Sequence, residues 1–511
     1  MALFWADLHN HNSVGYGVGT IERSYELARN SLDIYAFTPH GWWADISETD
    51  TRVSSYHRKG FTKVASNWPK VIKMAQDNCS EGRFITLLAH EWHSSHWGDY
   101  CILFTEFEEG LLQLNSLDDL IGCCIRNGNI MIPHHCAYPI HKRGTDWASW
   151  NPLPSPVVEI FSEHGNSLEP NDSWGMTGHS MGGSQFSQSV LHQIASGKIL
   201  GFTAGTDNHY GHPASYGEGL TALVIDVLTK KNVFEAIRQR HTYGVTGERI
   251  EVDIVTDSGK TMGDIETQVP NIELNTICHD ELDYIEVFFN GTGMDKYADM
   301  TAQQKIPRGQ EGSFEGFLRI ELGWPGMNDL SVVDWQGTLS LLKGDFTKAF
   351  PYFSSGPKTI DKPERLVIQD EGKVDFIVSS SRTNKYPNQI IILKGNIEPE
   401  DFLVLDISTK GDFGSYHKRD SIKISDLLQD DHYFLFSEEY AIPKIKIHRV
   451  LPMESVSYDL SLTSDYIRDL NKRSLLHRRK IGSDYSSIFF KIRQKNGHTA
   501  WTSPIYFPSE R

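Results

Sequence analysis

The residues best suited to chemistry in this chain are histidines and acids that stand directly after short apolar runs. His9 and His11 follow "LFWADL", His40 follows "DIYAFTP", and Glu91 follows "FITLLAH". His134 and His135 follow "NIMIP", and Asp207 and His209 follow "ILGFTAGT". Each run reads as a strand. Residues two apart in a strand point the same way, so the rings of "HNH" aim at one point. Five strands that each end in a ligand-type residue predict one shared site. Unrelated surface histidines would scatter over faces and ends instead. Imidazoles with a few carboxylates suit Zn, Mn or Fe better than Ca or Mg. Glu91 can bridge two ions, and ions about 3.5–4 Å apart activate water and stabilise the leaving oxygen in phosphoester hydrolysis.

The elements that must position these residues alternate up to about residue 250. "TIERSYELARN" puts Ile21, Tyr25 and Ala28 on one helix face, with Thr20 as N-cap. "SLDDLIGCCIRNG" gives a second helix that stops at Gly128. "SQSVLHQIASG" and "NVFEAIRQR" repeat the pattern. Strands alternating with helices predict βα units closed into a barrel, whose active site lies at the C-terminal strand ends. Beyond residue 250, runs such as "RIEVDIV", "QIIILKG" and "SIFFKIRQ" predict an antiparallel, sandwich-like β domain over 251–511. "TAQQKIPRGQEGSFEG" reads as a loop between strands.

Bulk properties narrow the partners. At 511 residues the chain has room for two or three domains. A formal charge of −17 argues against long nucleic acid as a partner. No apolar run is long enough to span a membrane. "MALFWADLH" lacks the basic n-region of a secretory signal. The six cysteines form no CxxC pair and read as reduced residues of a cytoplasmic protein. The expected partner is a small, anionic molecule; oligomeric state is left open.

"DLHNH", "TPHG", "AHEW", "IPHH" and "GTDNH", in that order over residues 1–250, resemble the motifs of the PHP (polymerase and histidinol phosphatase) superfamily. "EIFSEHGNS", "GFTAGTDNHYGHP" and the terminal "KIRQKNGHTAWTSPIYF" are similar to a PHP-like group called domain of unknown function 3604. The resemblance implies a distorted (β/α)7 barrel followed by the β-rich domain, and a site of two or three divalent metals. It implies one ion on His9, His11, Glu91 and Asp207, and a second on Glu91, His134 and Asp99. Asp99 stands where the superfamily carries a His. It implies a third ion on His40 and His209 plus a ligand from the first loop, but "SVGYGVG" offers no His or Asp. Pro39 replaces a commoner Asp.

Other candidates carry less. Glu91 and Asp207 are the catalytic candidates at the ions, with His164 after "VVEIF" as a general acid or a supporting residue. His93, Lys142, Arg143 and His212 are candidate substrate contacts, or ordinary solvated residues. His90 points away from Glu91 if the strand continues. "GHSMG" matches the serine-hydrolase elbow but lacks the strand before the serine that the elbow needs. The leading expectation is a metal-dependent phosphoesterase. The alternatives are hydrolysis of an amide or other carboxyl-type bond at the same site, and a non-catalytic, metal-stabilised binding protein.

Overall fold

A computed structural model describes residues 2–49, 51–169, 171–176, 182–298, 300, 312–324, 332–369, 372–439, 442–475 and 484–509. Among the described residues strand accounts for 40% and helix for 19%, with seven helices. Two compact units form: Met1–Thr276 with Leu282–Asp299 and Asp459–Arg511, and Ile277–Glu281 with Met300–Tyr458. The split expected near residue 250 follows chain order. The compact division instead gives the first unit strands from the C-terminal end.

The first unit holds the strands that carry the candidate ligands. They are β1 (Ala2–Asp7), β2 (Ile34–Phe37), β3 (His40–Trp43), β4 (Ile85–His93), β5 (Asp99–Phe104) and β6 (Ile130–His134). They continue as β7 (Val157–Ser162), β8 (Gly165–Asn166), β9 (Gly201–Ala204), β10 (Leu220–Ile225) and β11 (Thr242–Val245). Helices α1 (Ile21–Ser31), α2 (Arg52–Asn78), α3 (Leu117–Asn127), α4 (Val190–Ala195) and α5 (Lys230–Gln239) accompany them. A thirteen-stranded sheet runs from Thr292–Tyr297 through Leu282–Phe289, Tyr485–Gln494 and Thr499–Thr502 to β11, β10, β1, β2, β4, β5 and β6. β3 flanks β4, and Ile505–Pro508 flanks Tyr485–Gln494. β7, β8 and β9 form a separate three-stranded sheet.

This corrects the expected TIM-like (β/α)7 barrel. Among these eleven strands only β1–β2, β2–β4, β3–β4 and β7–β9 pair in parallel. β1–β10, β10–β11, β4–β5 and β5–β6 are antiparallel. Only residues 94–98 separate β4 from β5. A parallel crossover needs a dozen or more, so that pair turns back on itself. The apolar runs misled for a physical reason. β4 is buried along its whole length, and a strand covered on both faces reads as a parallel one whatever its partners.

The helices start and stop where side chains satisfy the end groups. Thr20 accepts from Arg23 N–H at the start of α1, and Ser116 from Asp119 N–H at the start of α3. Gly128 ends α3 with φ 71°. α2, the longest at 27 residues, was not among the expected helices. Pro69 lies inside it and breaks the sequence pattern by which helices are recognised. Ala6, Ile34, Ala36, Leu87, Ala89 and Leu103 pack with Val233, Phe234 and Ile237 of α5 in one core.

The second unit has two antiparallel sheets, of six and five strands. Residues alternate along each strand, as in Phe402–Gly411. The inward sets, such as Leu318, Ile391 and Leu393 from one sheet and Trp335, Phe376 and Leu405 from the other, form a single core. Of the expected loop "TAQQKIPRGQEGSFEG", residues 301–311 lie outside the described residues. Among the described residues no helix is long and apolar enough to cross a membrane. All six cysteines are free thiols.

Candidate metal centre

Strand register decides which candidates meet. β3 and β4 pair with His40 beside Glu91, and β5 and β6 pair with Asp99 beside His134. Beyond β1, Asn10 bridges Asn208, and Asp207 N–H donates to His9 O at 2.8 Å. That approach requires Gly205, where a Cβ would meet His9 Cβ at 2.6 Å. His9, His11, His40, Glu91, Asp99, His134 and Asp207 are therefore all buried. His209 stays 32% exposed at the rim.

The ligand atoms converge as they would around ions. His9 Nε2 and His11 Nε2 are 3.1 Å apart. Asp207 Oδ1 lies 3.2 Å from the first and 2.9 Å from the second. Bonds of about 2.0–2.2 Å place neighbouring ligand atoms about 3 Å apart, so this trio suits one ion. Glu91 reaches two sets of imidazoles. Its Oε2 lies 3.2 Å from His40 Nε2 and 3.4 Å from His11 Nε2, yet makes no hydrogen bond. Its Oε1 lies 2.8 Å from His134 Nε2 and 3.3 Å from His93 Nδ1. A buried carboxylate oxygen left without a hydrogen bond is costly, and a cation beside it removes the cost. The residues present fit divalent ions. Several clusters could hold one, among them His9–His11–Asp207, His40–Glu91–His93 and Asp99–His134–His135.

One further grouping, His11–His40–His209, is close in distance but poorly aimed. His11 stacks on His40 at 4.0 Å and 17°, and on His209 at 4.3 Å and 25°. An imidazole ligates through a lone pair in its own plane. Two nearly parallel rings about 4 Å apart have almost no common in-plane point, so they do not share an ion. His40 and His209, tilted by 36° at 5.1 Å, can converge without His11.

The carboxylates of the cluster are held in their ionised form. Burial opposes charge on Glu91, but His93, His40 and His134 hold its carboxyl well below the usual range. Burial likewise opposes charge on Asp207, which His9, His11 and His164 keep low. Asp99 is kept low against burial by Arg143 and His93. Burial lowers His11 to about 3 and also drives His40 down. These neutral imidazoles are the form that ligates.

Second partners orient the ligands. Glu159 Oε2 takes the Nδ1 side of His9 at 2.9 Å, leaving Nε2 toward Asp207. Glu163 Oε1 does the same for His209 Nδ1 at 3.1 Å. Asp7 is not a ligand. Its carboxylate accepts from Thr206, His9 and Ala214 N–H groups and so shapes the ligand turns. Burial pushes its pKa up to about 6. Replacing Glu159 with Ala is expected to weaken metal binding 10–100-fold with the fold kept. Titrating the variant with a competing chelator measures this, and unchanged affinity refutes it.

Several sequence readings change. His93 was read as a candidate substrate contact or a solvated residue; β4 runs on to it, so it shares the face of Glu91 and is buried at 1% exposure. His135 comes back beside His134. Its φ of 35° turns the chain, the two rings come to 3.9 Å, and Nε2 reaches 3.3 Å from Asp99 Oδ2. Arg143, at φ 69°, bonds Asp99 and lies 3.9 Å from Glu91 Oε1. Lys142 on the same turn is exposed and is not part of the cluster. "SVGYGVG" carries no acid or imidazole, but its Tyr16 stacks on His40 at 3.8 Å. His164 Nε2 lies 3.1 Å from Asp207 Oδ2 and its Nδ1 2.9 Å from Tyr138 OH. His212 is buried in the turn after "GTDNH", its N–H donating to Asn208 Oδ1. His90 points away from the cluster and packs on Phe104 and Trp68. Of "GHSMG", residues 178–181 lie outside the described residues. Glu159 and Glu163 went unread as supporting acids, although each stands in the strand or turn that ends at His164.

Fold and site together define a mostly β protein with a buried, imidazole-rich cluster able to hold metal ions. No family model and no curated protein matches the chain. Among solved structures it is similar to a chain named BspA_C_mut, at 8% identity over 41% of this chain and 55% of that one, with a TM-score of 0.10. It is also similar to the Streptococcus agalactiae AgI/II polypeptide BspA C-terminal domain, at 10% identity over 41% of this chain and 59% of that one, again at 0.10. The match thus spans little more than half of each of those chains. Likenesses this weak carry no argument about fold or activity, and they lend no support to the barrel or to the PHP-type expectation.

Proposed function

We propose that the protein is a metal-dependent hydrolase of small anionic substrates, with a phosphoester as the bond cleaved. The observation that carries this reading is the placement of Glu91, whose Oε2 faces His11 of the His9–His11–Asp207 group while its Oε1 faces His134 and His93. That arrangement suits two ions, of Zn, Mn or Fe type, bridged by one carboxylate. Ions held there would lower the pKa of water and polarise the ester. The chain's own residues do the rest. His9, His11, His134 and Asp207 would hold the ions. Arg143 is the cation beside the cluster, and its planar fork suits a phosphate oxygen pair. This favours a phosphoester over a neutral amide. His164, held between Asp207 and Tyr138, can carry a proton at Nε2 toward a leaving oxygen.

The test is metal analysis of anaerobically purified full chain, followed by a screen of phosphoesters with and without chelator. About two equivalents of metal are expected, with turnover lost on chelation and restored by Mn or Zn. Ser180→Ala should retain most turnover. Activity that survives chelation and dies with Ser180→Ala would overturn the reading.

A further inference from the structure

An aromatic layer covers one side of the cluster. Tyr16 stacks on His40, and His57 of α2 meets both Tyr16 and Trp43 edge-on at 5.1 Å. Trp43, at the end of β3, stands 5.9 Å from His93 and 5.4 Å from the Arg143 guanidinium. Tyr16, Trp43 and His57 all keep partial exposure, and Tyr56 beside them is 53% exposed. His57 Nδ1 is buried without a hydrogen-bond partner.

We infer that the layer is a subsite for a planar ring, and that the substrate is a phosphoester bearing an aryl or heteroaromatic group. This rests on the hydrolase reading and adds the substrate class to it. The ring packs against Trp43 and Tyr16 while the phosphate lies beside Arg143 at the edge of the cluster. Aromatic faces favour flat π partners through offset stacking. A pocket for an alkyl group needs only aliphatic walls. His57 Nδ1 supplies one polar contact within the layer, as a ring heteroatom requires. The turn that presents Arg143 is specific. At Gly144 a Cβ would strike Tyr138 O at 1.9 Å, so only glycine lets the chain fold back there.

The experiment uses the metal-loaded full chain and two inert probes, phenylphosphonate and methylphosphonate, whose C–P bonds resist hydrolysis. Calorimetry should show phenylphosphonate binding about tenfold tighter. In Trp43→Ala the ratio should fall to about two. Trp43→Phe, which keeps a ring, should retain most of the preference, and it serves as the test if the alanine variant does not fold. Equal affinity of the two probes for the wild type overturns this inference and leaves the hydrolase reading standing. Failure of both probes to bind a fully loaded protein overturns the hydrolase reading, and this inference with it.

Discussion

Replacing Glu91 with glutamine is expected to empty two positions at once. Metal retained after dialysis should fall from about two equivalents to below one, and turnover by about a thousandfold or more. The reason is geometric. Oε2 faces His40 and His11, and Oε1 faces His134 and His93. An amide keeps the size but loses the charge, and its NH2 end can only donate. It therefore repels a cation at one end and binds weakly at the other. Glu91 is also fully buried, so no water substitutes for it. Circular dichroism should remain near wild type, because the substituted amide can donate to His134 and keep that contact. Two equivalents of metal in Glu91→Gln would show that the carboxylate bridges nothing.

How far the sequence could be read depended on the range of the interaction. Local features were legible. Thr20, Ser116 and Gly128 act within a turn of where they stand, and "HNH" works by strand alternation alone. Most of the candidate ligands follow apolar runs visible in the sequence, whereas Asp99 opens β5 and was reached only through the resemblance. Strand partners were not legible, since they depend on residues far apart in sequence. β1 pairs β10 across more than two hundred residues, and β11 pairs Thr499–Thr502 from the far end of the chain. Hence the barrel was expected and a mixed sheet was found. The extension of β4 through His93 and the left-handed backbone angle at His135 set which residues those two histidines face. Glu159 and Tyr16 act on His9 and His40 only through the folded arrangement. No spacing in the chain announces them.

Acidification is expected to strip the metals, through protons on two particular imidazoles. Burial opposes charge on His9, but Asp207, Cys101 and Glu159 outweigh it and raise its pKa well above 6.5. Burial also opposes charge on His209, but Glu163 and Asp207 raise it to about 9. Both rings are therefore protonated at neutral pH in the metal-free protein, and an imidazolium cannot ligate. Loading must expel the proton of His9 at the first position. An ion on His40 and His209 must expel that of His209. Each expelled proton costs about tenfold in affinity per pH unit below the pKa concerned. From pH 8 to pH 6 the affinity at His9 should fall steadily. The position on His40 and His209 should bind about 100-fold more weakly at pH 7 than above pH 9. His11, already neutral above about 3, adds no such dependence. The metal-free fold follows the opposite sign. A folded pKa raised from 6.5 to about 9 stabilises below 6.5, and that stabilisation is lost as pH rises through 9. The melting temperature of the stripped protein should thus decline over that window while metal binding tightens, and the gap between loaded and stripped forms should widen with pH. Calorimetric titration in buffers of different ionisation enthalpy counts the protons released. A flat affinity from pH 8 to 6, with no proton released at pH 7, would mean that His9 does not ligate.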